Sequence, residues 1–296
     1  MFLPDLPYVI INAMANSHQF RNLVFLCTLL ALLPPYQAVA QPAPGAEFKI
    51  GGSLLHFDYR EINDNDKELD REEGFIPGVA LGMSKAVKQW VFAGDFAYHG
   101  GDVAYTGNTN TGIPITTTTR QNIANITLRA EYWFAFDNIP DFAAYVGAGQ
   151  HQWQRDIRST TTASGAPVSG LFETYSWRTI FLGVKTELYH SNSDNLFVDI
   201  RLVQTRSPRI NVQFNNTYDN AILDLGERRG YKVALPWHHA VDVSTRLVVE
   251  PYFESYEFGR SESAPLTSNG SVVGSVFEPY SQTSNYGLTV GISQAF

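Results

Sequence analysis

The groups able to move a proton are few and scattered along this chain. It holds seven histidines against 29 aspartates and glutamates. A histidine held beside a carboxylate can act as a general base on water. His99-Gly100-Gly101-Asp102, with Asp95 just before it, comes nearest to such a unit. No acidic partner stands at a matching spacing on a later segment. Serines are plentiful, but they fall in loop-like stretches, where serine is common for local reasons, so no nucleophile is marked. Glu61 to Glu73 (EINDNDKELDREE) is the densest charge run. Asp64, Asp66 and Glu68 alternate there as calcium ligands could. The EF-hand pattern fails because Leu69 stands where glycine is required, and the run reads better as a solvated acidic loop. We expect no metal and no cofactor. No glycine-rich phosphate loop appears, and a net charge of −8 argues against nucleic acid as a partner.

The elements that would position these groups are strands. From Tyr286 to Phe296 the chain alternates: Tyr286, Leu288, Val290 and Ile292 share one face, and Asn285, Gly287, Thr289, Gly291 and Ser293 the other. An apolar face backed by a small, polar one suits a wall with lipid outside and a polar interior. Gln294 departs from the pattern. The same rhythm yields ten strands: near Glu47 to Tyr59, Phe75 to Lys85, Trp90 to Tyr105, Gln121 to Phe136, Asp141 to Arg158, Glu173 to His190, Asn195 to Phe214 with a bend at Pro208, Arg229 to Trp237, Asp242 to Arg260, and Phe277 to the end. Short turns alternate with long polar loops. The reading is all-β: a closed, antiparallel, up-and-down transmembrane β-barrel of ten strands, with eight or twelve as alternatives.

Aromatic residues fall into two bands, as rings favour the headgroup level. Trp90, Phe134, Phe136, Phe142, Trp237 and Phe296 sit by the short turns. Tyr98, Tyr105, Trp153, Tyr231 and Phe253 sit toward the loops. The alternative is a soluble β-sandwich or periplasmic barrel.

Alternation also sorts the charges. Asp95, Arg129, Glu131, Lys185, Glu187, Asp199, Arg201, Lys232, Arg246, Glu250 and Glu254, together with His99, Tyr252 and Tyr256, are expected inside. Lys49 points inward, whereas His56, Asp58 and Arg60 would need a bulge to follow it. The first and fifth strands remain ambiguous. The interior charges nearly cancel, and unpaired buried charge is costly. In a narrow barrel the expectation is an ion-paired plug, which disfavours an open diffusion porin and leaves only a narrow path.

The N-terminus reads as export. Leu23 to Leu33 is an apolar run of about eleven residues, the length of a signal-peptide core and too short to span a bilayer. Arg21 precedes it and Ala38-Val39-Ala40 follows. We expect a signal peptide over residues 1–40, with translation starting at Met14, and one domain over 41–296. The single cysteine, Cys27, lies in the leader, so the mature chain carries no thiol.

An apolar-alternating last strand ending on Phe296 resembles the C-terminal signature of Gram-negative outer-membrane β-barrel proteins. That resemblance implies localisation in the outer membrane of a Gram-negative bacterium. It implies periplasmic chaperones during export, the barrel-insertion machinery, and outer-membrane lipid and lipopolysaccharide as partners, with the Tyr286, Leu288, Val290, Ile292 and Phe296 face closing the barrel. Divalent cations could join the acidic run to lipopolysaccharide phosphates. In length and strand number the chain resembles the omptins, outer-membrane proteases that use an acidic pair and an Asp/His pair at the outer rim. The candidates for those roles are Asp95, His99, Asp102, His151, Asp156, Glu254 and Glu257, and they lack the omptin spacing. Lipid-modifying rim enzymes form a further comparison. The leading expectation is a non-enzymatic surface or structural barrel, adhesin-like or a narrow channel. A rim hydrolase is the alternative.

Overall fold

The computed structural model describes residues 45–109, 111–136 and 140–296. The expected leader, its cleavage site and most of the turn at Asp137 lie outside the described residues. The barrel strands are β1 (Gly45–Ile62), β2 (Glu68–Val87), β3 (Trp90–Asn108), β4 (Pro114–Phe134), β5 (Phe142–Ile157), β6 (Leu171–His190), β7 (Asp194–Gln213), β8 (Arg229–Ala234, resuming as Trp237–Ala240), β9 (Thr245–Phe258) and β10 (Tyr280–Ala295). Each pairs antiparallel with its neighbours in the chain, and β10 returns to β1, closing a ten-stranded barrel. At the closure Ile50 faces Ile292 and Leu54 faces Leu288.

Two prolines explain the irregularities. Pro236 has no N–H for the ladder, and β8 breaks there. The gap is bridged by Phe197 N–H to Pro236 O at 2.9 Å and Leu235 N–H to Pro251 O at 3.0 Å. In β7 the register slips at Ser207-Pro208, opposite Ser176 to Arg178. Ser207 has a φ of 48°, so the expected bend at Pro208 is a bulge.

The strands run much further than the sequence reading placed them. Only residues 63–67 separate β1 from β2, so most of the acidic run is strand. The threonine-rich stretch before Gln121 belongs to β4, as its β-branched side chains favour. At about 3.4 Å per residue and a tilt of about 40°, the 21 residues of β4 rise about 50 Å, twice the apolar band of about 25 Å. The barrel therefore stands well clear of the bilayer on the loop side.

That protrusion reverses the chemistry of the wall. Over the half beside the short turns, large apolar side chains face outward and stay exposed, among them Ile50, Met83, Leu128, Val146, Leu182 and Ile292. Over the far half the same alternation points Leu55, Phe57, Tyr59, Ile76, Trp153 and Tyr175 inward into a buried core. Outside, at that height, Asp58, Arg60, Arg71 and Glu73 pair in water. His56, Asp58 and Arg60 thus keep the parity of Phe48 and Ile50 and face outward. The bulge expected there does not exist, because β1 has simply left the lipid. For the same reason Tyr105 and Trp153, expected in the loop-side aromatic band, are buried inside.

Candidate functional site

The lumen has two storeys. The lower, beside the short turns, is polar and encloses a cavity of about 540 Å³. Glu250 takes Lys49 at 3.3 Å and Lys232 at 3.8 Å. Arg129 pairs with both Asp95 and Glu131. Other charges expected to find ionic partners do so differently. Lys185 lies 4.7 Å over the Phe197 ring and Arg201 lies 4.3 Å over Phe181. Asp199 accepts a hydrogen bond from Tyr145, Glu187 from Asn195, and Glu254 from Asn285 at 3.0 Å. Arg246 lines the cavity and forms no ion pair among the described residues. The lower charges therefore rim a hollow and do not fill it.

The upper storey is the plug. Arg155 and Glu72 have no side-chain exposure. The Arg155 guanidinium meets Glu72 at 3.0 Å, Glu173 at 2.7 Å and Glu61 at 3.2 Å. It also donates to Tyr175 Oη at 3.1 Å and lies 4.4 Å over the Tyr59 ring. Glu72 takes further hydrogen bonds from Thr119 and Gln121, and Gln121 in turn accepts from Trp153 Nε1 at 2.6 Å. Tyr175 donates to Glu278 at 2.5 Å. Trp153 stacks on Tyr175, and Tyr175 on Phe258. These side chains come from β1, β2, β4, β5, β6 and β9, so the plug crosses the bore.

The plug stands above the bilayer, and its acids outnumber its one arginine. Burial pushes the Glu173 carboxyl up to about 7 despite the neighbouring guanidinium. Burial, with Glu61 and Glu173 nearby, raises Glu278 well above the usual carboxylate range. The sequence reading missed Arg155 because it left the fifth strand ambiguous. Parity counted from Ala143 through Tyr145, His151 and Trp153 places it inside.

The catalytic candidates do not assemble. His99 is inside, 4% exposed, with Nε2 2.9 Å from Ser53 Oγ. Asp102 is on the outer wall, holding Arg120 at 3.2 Å and Arg158 at 2.8 Å. Three residues apart on one strand is an odd spacing, which sends the two side chains to opposite faces. Asp95 is taken by Arg129. His151 sits inside between Asn125 at 2.8 Å and Thr179 at 3.0 Å, stacked on Trp177. Asp156 is exposed, on the face opposite Arg155. Glu254 lines the lower cavity, while Glu257, three residues on, has the outward parity. Histidine does meet carboxylate elsewhere: His56 with Glu73 at 3.4 Å, His190 with Glu187 at 3.2 Å, and His239 with Asp194 at 2.8 Å. The last pair sits by the turn at residues 191–193, where Ser193 also donates to Asp194 at 2.6 Å. In the acidic run Asp64 lies 4.0 Å from Arg260 and Glu68 lies 3.8 Å from Arg60. Asp66 occupies a left-handed turn position at φ 58°. Among the described residues no three carboxylate or imidazole groups gather as a metal site.

A closed ten-stranded antiparallel barrel, greasy outside and polar inside where it meets lipid, has the fold of the Gram-negative outer-membrane β-barrel proteins. The solved structure of the outer membrane protease OmpT from Escherichia coli matches it with a TM-score of 0.55 at 13% identity, over 88% of this chain and 99% of that one. The translocator domain of the autotransporter NalP from Neisseria meningitidis matches more loosely, with a TM-score of 0.44 at 10% identity, over 96% of this chain and 97% of that one. The likeness is one of fold. No family model and no curated protein sequence matches the chain.

Proposed function

We propose that this chain is an integral outer-membrane barrel with a surface or structural role, its bore sealed by its own side chains. The observation that carries this reading is the upper plug. Arg155, with no side-chain exposure, is enclosed among Glu61, Glu72 and Glu173, in a cluster drawn from strands around the whole bore. The lower cavity is lined by Ala46, Ala86 and Ala295 at the short-turn end, so it is a blind well beneath the plug. A rim hydrolase finds no support in the positions of His99, Asp102 and Asp95. The export route goes with the same reading: a cleaved leader, periplasmic chaperones and the barrel-insertion machinery. The long strands lift the loops about one membrane thickness into the medium, as suits an adhesin-like surface.

Purified, refolded protein in planar lipid bilayers tests the seal. We expect insertion, reported by heat-modifiable migration of the reconstituted protein, without current steps. Discrete conductance steps from the unmodified chain would overturn the sealed-bore reading.

A further inference from the structure

One row of side chains in the lower storey carries charge that the protein leaves unanswered. Arg201 on β7, Lys232 on β8, Glu254 on β9 and Asn285 on β10 are cross-strand neighbours in unbroken register, and all four line the cavity. Arg201 and Lys232 stand directly opposite each other, and like charges so placed on a sheet are destabilising. Arg201 forms no ion pair among the described residues. It lies 4.3 Å over the Phe181 ring and reaches Tyr145 Oη at 3.4 Å. Lys232 lies 4.1 Å over the Tyr252 ring. Its ion pair is a long one, 3.8 Å to Glu250, which Lys49 already holds at 3.3 Å. The acids flanking the two cations are turned elsewhere, Asp199 to Tyr145 and Glu254 to Asn285.

The other half of the row accepts hydrogen bonds. Asn285 is 1% exposed, and its Oδ1 has no partner among the described residues. His99, buried on the cavity wall and within electrostatic reach of Glu254, leaves its Nδ1 unpartnered as well. Across the ten-stranded bore from β7 and β8, the strands β2 and β3 present only Ala80, Gly82, Ala93 and Ala97 at this level. Those small residues leave the hollow of about 540 Å³, a size typical of small-molecule pockets. It runs down to the alanines at the short turns, so a solute enters beneath the plug.

We propose that the lower cavity binds a small hydroxylated organic acid, of the sugar-acid class, entering from the periplasmic side. Its carboxylate lies between Arg201 and Lys232, and its hydroxyls donate to Glu254 and Asn285. A guanidinium matches a carboxylate with two parallel hydrogen bonds, and one carboxylate turns the repulsive pair into a bridged one. Water carries no charge to do this. A bare hydrocarbon acid or a lone phosphate would leave the acceptor half of the row unmet, which is costly for buried groups. The proposal rests on the barrel reading, and on the sealed plug only for the side of entry.

The test titrates the full-length mature chain, refolded in detergent micelles, with four probes: glucuronate, cyclohexanecarboxylate, glucose and inorganic phosphate. Calorimetry reads the affinities, and heat-modifiable migration confirms folding in each sample. Glucuronate should bind saturably at one site per chain, and the other three about tenfold or more weakly. Arg201→Gln and Lys232→Gln should each weaken glucuronate by about tenfold and leave glucose unchanged. Lys232→Arg should restore binding. Glu254→Gln should narrow the gap between glucuronate and cyclohexanecarboxylate. Arg120→Gln, on the outer wall, should bind as the parent does. No saturable glucuronate binding at millimolar concentration, equal binding of any other probe, or parental affinity in the Arg201 and Lys232 variants would overturn the proposal. The comparison of probes on the parent chain needs no variant to fold. Loss of heat-modifiable migration in the parent would instead overturn the barrel reading, and current steps in planar bilayers would overturn the seal without touching this site.

Discussion

Replacing Arg155 by methionine should loosen the plug in a way that depends on pH. The side chain is fully buried and is the shared counter-charge of Glu61, Glu72 and Glu173. Removing one member of a buried ionic cluster costs about 3–5 kcal/mol, because the others stay buried and uncompensated. Methionine keeps most of the volume, so a cavity adds little. The orphaned acids have an escape, since they can take up protons. At about 1.4 kcal/mol per pKa unit, a penalty of that size corresponds to carboxyls raised by two or three units. The deficit should therefore be full at pH 8 and shrink at pH 5, where protonation removes the repulsion. Urea titrations of vesicle-embedded protein, followed by tryptophan fluorescence, would measure it. Trp153 and Trp177 lie in or beside the plug and report its opening directly. R155M with parental stability at pH 8, or with a deficit of the same size at both pH values, would refute the reasoning.

Other outcomes follow from the same geometry. Glu173 titrates near 7 in the folded barrel, above its unfolded value, so its protonated form favours folding. That contribution is complete below about pH 4.5 and is lost as pH rises through 7, up to about 3 kcal/mol. Glu173→Gln should flatten the slope of stability between pH 5 and 8, as read from urea midpoints; an unchanged slope assigns it to other groups. Val146 is 64% exposed on the lipid face, and arginine there should cost about 2–4 kcal/mol in a bilayer. Gln152→Arg, on the same face of β5 but above the belt, should cost almost nothing, and equal effects at both positions would refute the placement of the lipid boundary.

Much of the wall was legible because lipid imposes a strict rule. Where β10 runs beside lipid, every second residue must be apolar, and Tyr286 through Ile292 obey. The same rule set the inward parity of Arg129, Glu131 and Glu250. It misled where its premise lapsed. Beyond the bilayer the outer face meets water, so Arg71 and Glu73 read as loop when they are strand, and Asp58 and Arg60 read as needing a bulge that the strand does not have. Tyr105 and Trp153 read as a headgroup band when they are core. The plug was invisible for a different reason. Glu61, Glu72, Arg155 and Glu173 lie on four strands, and only closure of the barrel brings them together. The register of β6 on β7 depends on the bulge at Ser207, which periodicity alone does not reveal.

The reversal of the wall midway along each strand has a consequence for how this chain tolerates change. A one-residue insertion at a hairpin tip alters only the tip. The same insertion near Leu54 would leave the basal segment correctly dressed for lipid and turn everything above it inside out. Leu55, Phe57 and Tyr59 would then face the medium, and Asp58 and Arg60 would be thrust among the packed rings. The crossover level is thus where length variation should be least tolerated.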